Sequence, residues 1–147
     1  MADKRQQVVD AIRARLAGIR TSNGYNTEIG LHVLEWKVKA FSEAEIPGVA
    51  FRDTDPKIRE LTGGMQEVSL PVEFIIGAAA GASTMAVIRA AIEDVLAAIN
   101  SDFTWGGLAW DTAVDSIEAF AEHEGKLTGL AKIGTTVKYE QQRPVHP

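Results

Sequence analysis

Ser83 to Trp110 reads STMAVIRAAIEDVLAAINSDFTWGGLAW, and this stretch decides the fold. Met85, Ile88, Ile92, Val95 and Ile99 recur at three- and four-residue steps, with Ala91 and Leu96 beside them. That spacing predicts an amphipathic helix whose apolar stripe covers a sheet. Ser83 or Thr84 is placed to cap its start, where a hydroxyl oxygen accepts a backbone N–H that has no helical partner. After Asn100 the stripe gives way to Asp102-Phe103-Thr104-Trp105-Gly106-Gly107. Paired glycines permit positive φ, so the chain is expected to turn sharply there and return to the sheet, with Phe103, Trp105 and Trp110 available to cover the core or meet a neighbour.

The flanking segments alternate as strands should. Val68, Leu70, Val72, Phe74 and Ile76 face one way, and Glu67, Ser69, Pro71, Glu73 and Ile75 the other, predicting a strand over 66–77. Pro71 cannot donate to a ladder, which points to an edge or a local bulge at that position. Residues 127–139 alternate as well. With 114–124 and the intervening Gly125-Lys126 they predict an antiparallel hairpin. Upstream, Val8, Val9, Ile12, Leu16 and Ile19 make one face of a helix over 4–19 that ends near Gly18. Residues 29–40 read as a strand with a phase slip between Val33 and Leu34, and Trp36 packed. Val49 to Asp53 reads as a short strand, broken by Asp53-Thr54-Asp55-Pro56. Residues 57–64 read as a polar connection. The expected architecture is α+β: a mixed, mainly antiparallel sheet of four to five strands on two helices, in one domain over 1–140, followed by an extended tail over 141–147.

Composition narrows the function. The 147 residues suit one domain, and 46% apolar with 24% charged residues supports a packed core. Disulfides and thiolate metal sites are excluded because there is no cysteine. No apolar run approaches the roughly 20 residues of a membrane span, and no secretory signal is expected at the start. A net charge of −5 argues against clamping nucleic acid through its phosphates.

Chemistry finds little support. His32, His123 and His146 lack metal-motif partners, and no catalytic residue, metal or cofactor is expected. Glu122 and Glu124 share a strand face that His123 does not, and solvated charge is the simpler account of them. Asp53 and Asp55 fall short of a calcium loop. The glycine- and alanine-rich turn Gly77 to Ser83 lacks the lysine of a phosphate loop, though a small-ligand site there is a reading of a different class. Tyr25, in the polar loop 20–28, either folds its ring over the sheet or anchors an interface.

The chain resembles the tail terminator, or tail completion, proteins of long-tailed bacteriophages. The likeness lies in Ile19 with Gly24-Tyr25-Asn26-Thr27-Glu28-Ile29-Gly30, in Ile92-Glu93-Asp94-Val95 with Ala98-Ile99, in Asp102 to Ala109, and in Val137-Lys138-Tyr139. It spans about residues 4–140. The resemblance implies a virion protein without enzymatic activity. Six copies would form a ring that caps the tail tube, ends its polymerisation and joins the tail to the neck or connector, with DNA passing through the lumen unbound. A connector or stopper at the same joint is the neighbouring reading. Tyr25, Asn26, Thr27, Pro71 and Trp105 are the candidate subunit or partner contacts.

Overall fold

A computed structural model describes residues 3–35, 41, 45–78, 84–124 and 126–144. Within them are helix α1 (Lys4–Ala17), strands β1 (Val33–Glu35), β2 (Gly48–Asp53), β3 (Lys57–Glu60) and β4 (Met65–Ala78), helix α2 (Thr84–Ser101), and strands β5 (Asp111–Glu124) and β6 (Lys126–Gln142). The sheet runs β1-β2-β4-β6-β5, with β3 also paired to β4. Among the described residues only β1 and β2 pair in parallel, and every other pairing is antiparallel. The fold is thus the expected α+β class, with six strands where four to five were expected.

The sixth strand is β3, read from sequence as a connection. Lys57 to Glu60 are exposed throughout, so no apolar alternation marks them; their ladder with Ser69 to Gln66 of β4 makes them a strand. Pro71 likewise requires correction. It lies in the central strand rather than at an edge, paired to Thr136 of β6 on one side. On the other side β2 ends opposite Val72 and β3 begins opposite Ser69, so two collinear segments meet at a break. In an antiparallel ladder a residue's N and C=O point to the same neighbour, and the Pro71 carbonyl accepts from Thr54 N at 3.0 Å across that break. The donor that proline lacks is therefore lacking where no regular ladder exists. Residues 29–31, read as strand, form a short 3₁₀ turn, and strand pairing begins at Val33. β6 continues to Gln142, into the expected tail, because Met65 and Gln66 extend the ladder to meet it. Trp36, the 79–83 part of the glycine-rich turn, the Ser83 cap, the Gly125 turn and His146 lie outside the described residues, as do the side chains of Thr84, Glu122, His123 and Glu124.

One face of the sheet carries the core. Val49, Phe51, Val68, Leu70, Val72, Phe74, Ile76, Ala131, Ile133, Val137 and Tyr139 are buried in one cluster with residues from both helices. From α1 come Val8, Val9, Ile12 and Leu16, as their spacing predicts; from α2 come Ile88, Ala91, Val95, Ala98 and Ile99. Ile92 sits at the margin of this cluster. Asp3 caps α1 by accepting the Gln6 amide at 2.8 Å. The opposite face is mixed: Ala50 and Leu130 are buried there, and Glu73 takes Arg52 at 2.6 Å and Lys132 at 3.3 Å.

Candidate functional site

Two irregular segments carry most of the expected contacts, and each is held by a carboxylate. The first is the elbow after α2. Asp102 accepts Thr104 N and Gly106 N, both at 2.9 Å, and also the Thr104 hydroxyl; the Thr104 oxygen in turn accepts Gly107 N at 3.2 Å. These donors hold the Asp102 carboxyl below its usual range, with the Thr104 hydroxyl contributing most. Trp105, Gly106 and Gly107 all take positive φ, at 53°, 72° and 88°. Such a run is costly for a tryptophan. It is fixed here because the indole is held by two partners, one of them anchored in turn to the elbow's backbone. Its Nε1 donates to Thr112 Oγ1 at 2.8 Å, Thr112 donates to Phe103 O at 2.7 Å, and the Arg15 guanidinium stacks 4.1 Å from the ring centre.

Trp105 is accordingly 2% exposed and belongs to the core of its own chain. As a residue that meets a neighbour it is corrected: the elbow turns its ring inward to cover the C-terminal end of α2. Phe103 and Trp110 are the aromatics the elbow leaves about half-exposed. Trp110 has the Lys138 ammonium 5.5 Å from its ring and, with Leu108, borders an open cleft of about 380 Å³ whose charged rim is Lys4, Glu67 and Glu140. Lys4 Nζ donates across this rim to Glu140 O at 2.8 Å.

The second segment is the loop from Arg20 to Gly30. A 3₁₀ turn over Thr21–Asn23 closes on Gly24 at φ 91°, the turn that Asn-Gly predicts. Glu28 gathers Thr21 N at 2.5 Å, Arg20 Nε at 2.9 Å and the Thr21 hydroxyl. Those bonds, the Thr21 hydroxyl first, lower its pKa to about 2. Asn26 N and Thr27 N donate to Asp94 at 2.9 and 2.7 Å, and Thr27 Oγ1 donates to it at 2.6 Å. Asp94 is 2% exposed, so a buried carboxylate of α2 is satisfied by the loop's backbone. Sequence reading missed Asp94 as a functional group, although it stands three residues after buried Ala91 and four before buried Ala98, inside the apolar arc. Gly30 closes the loop against α1: a Cβ there would lie 2.6 to 2.9 Å from the carbonyls of Leu16, Ala17 and Ile19.

Arg15 joins the two segments. It donates to Ala98 O at 3.3 Å and to Asp102 O, and so satisfies carbonyls at the α2 C-terminus. Burial pulls its pKa below the ordinary arginine value, opposed by the Asp102 carboxylate and by Tyr25. Tyr25 packs its ring against the core edge, half-buried, and Asn26 stays exposed beside it. The structure thus sets Tyr25 and Trp105 near Arg15, while Asn26 and Thr27 are held by Asp94 of α2. Pro71 is elsewhere, on the open face of the sheet.

Among the described residues, no group of three or more His, Asp and Glu side chains is placed to hold a metal ion. Asp53, of the acidic turn, points inward and takes Arg5 Nε at 2.6 Å. No described helix is long and apolar enough to cross a membrane. The chain matches no protein-family model, and no curated protein sequence matches it.

Proposed function

We propose that this protein is a tail terminator of a long-tailed bacteriophage: a structural subunit, not an enzyme, that assembles into a ring, most naturally a hexamer, on the head-proximal end of the tail. There it would cap the tube protein, stop its polymerisation, and offer its other face to the connector or neck, leaving the lumen open to DNA.

The observation that carries this reading is the elbow. Asp102 to Ala109 is the segment on which the family resemblance rests, and its ionisable groups are committed to architecture. Asp102 holds the turn, Arg15 holds the helix end, Trp110 borders the cleft, and Phe103 stands about half-exposed. Rigid loops with half-exposed aromatics suit a docking surface. The acidic balance suits a lumen through which a polyanion slides.

Deleting the gene from its phage and measuring tails by electron microscopy tests the proposal. Overlong tails of variable length, with heads unjoined, are expected. Tails of normal length that merely fail to join heads would move the protein to the neighbouring role of stopper or connector.

A further inference from the structure

Among the described residues the sheet has three edge strands, the three-residue β1 beside β2 and the two considered next, β5 and β3. Among the described residues β5 pairs only with β6, so its outward backbone groups from Asp111 to Glu124 meet no strand. Among the same residues β3 pairs only with β4, and it lies on the opposite side of the sheet from β5, because β2 and β3 share one flank of β4 and β6 takes the other.

The two edges are chemically opposite. Residues 111–124 contain Asp111, Asp115, Glu118, Glu122 and Glu124, and no lysine or arginine. β3 offers Lys57 and Arg59, the latter 3.1 Å from Glu67 of β4 but with 70% of its side chain exposed, while its Glu60 is engaged by Arg143 at 2.9 Å and Gln66 at 2.8 Å. Each edge also exposes an aliphatic side chain: Ile58 is 53% exposed on β3, and Ile117 48% on β5, near half-exposed Val114. Ile58 is paired with Val68 and Ile117 with Ile133, both core residues, so the two isoleucines stand on the same face of the sheet beyond the cover of the helices.

Strand direction completes the match. β5 is two antiparallel steps from β4 through β6 and therefore runs with it, whereas β3 runs against it. A second copy set beside the first, with its faces and strand directions preserved, brings its β3 antiparallel to the first copy's β5. We infer that copies of this chain join in this way. The β5 edge of one copy pairs with the β3 edge of the next, with Ile58 against Val114 and Ile117, and Lys57 and Arg59 against Asp115 and Glu118. Pairing β5 with β5 would set acid against acid. The extra residue at the Asp115 bulge further spoils the edge for indiscriminate pairing. The contact joins two different surfaces, the kind that closes into a ring when the rotation between copies allows. The inference deepens the terminator reading by naming the surfaces that meet, and it rests on that reading only for ring closure.

The purified 147-residue chain tests it by native mass spectrometry and size-exclusion chromatography. The wild type is expected to assemble at micromolar concentration. Ile58→Asp and Ile117→Asp, both at exposed positions, should each give folded monomers, and Lys57→Glu should raise the half-assembly concentration tenfold or more. Each aspartate variant retains one intact edge, so mixing the two should produce a 1:1 dimer that grows no further. A monomeric wild type, aspartate variants that assemble like wild type, or a mixture that stays monomeric would each overturn the contact. Overlong tails in the deletion phage alongside a failed mixing experiment would remove this contact and leave the terminator reading standing; a 1:1 dimer alongside tails of normal length would do the reverse.

Discussion

The elbow and the 20–30 loop solve one problem by different routes. Both are irregular, both use left-handed glycines, and both are fixed by carboxylates accepting backbone N–H groups. The elbow's backbone is closed from within: Asp102 binds amides two and four residues ahead and the buried indole bonds to Thr112, seven residues on, while Arg15 of α1 is the distant group laid over the ring. The 20–30 loop is pinned partly from within by Glu28 and partly from afar by Asp94. A locally closed turn keeps its shape wherever it is anchored. A remotely pinned loop depends on the docking of its helix and can move with it.

The widest separation between the two comes from Trp105→Ala, which should destabilise the fold by ~3–5 kcal/mol, read from denaturant unfolding. A smaller loss would mean that the elbow holds without its ring. Asp94→Asn should cost about 1–3 kcal/mol, because the amide group turns a donor toward donors in a buried site. Its sharper signature is regional: amide exchange should accelerate across 24–28 and stay slow across 104–107. Equal acceleration in both segments would mean that Asp94 holds the elbow as much as the loop. Thr27→Val removes one of the three donors to Asp94 and should cost about 1 kcal/mol, with the two backbone bonds retained.

The gentlest probe is acid. Glu28 titrates in the fold at about 2 against an ordinary 4.5, so its contribution is complete above about pH 4.5 and is lost as pH falls toward about 2. The Thr21 amide resonance should follow that low midpoint; a midpoint near 4.5 would detach Glu28 from the loop.

Much of this architecture was legible because it is local or periodic. The α2 stripe, the alternation of β4 and the closing hairpin each follow from spacing within one segment. What escaped depends on partners. β3 has no apolar alternation and exists through its ladder with β4. Pro71 signalled a missing donor correctly, yet a gap between collinear β2 and β3 satisfies that condition inside a sheet as well as an edge does. Trp105 gave no hint of direction, since its inward turn depends on Thr112 and Arg15. Asp94 broke the apolar stripe in plain view, but its meaning lay in the amides of residues 26 and 27.

The Asp94 clamp also orders events in time. Its amide partners leave the ribosome 67 and 68 residues before the carboxylate does. α1 and the loop after it are thus made long before the group that sets them exists, and their amides stay with water until α2 docks. Closing so long a span is slow compared with forming either helix. The Tyr25 region is therefore expected to be among the last surfaces to mature during synthesis. An assembly step that reads that surface would ignore nascent and half-folded chains.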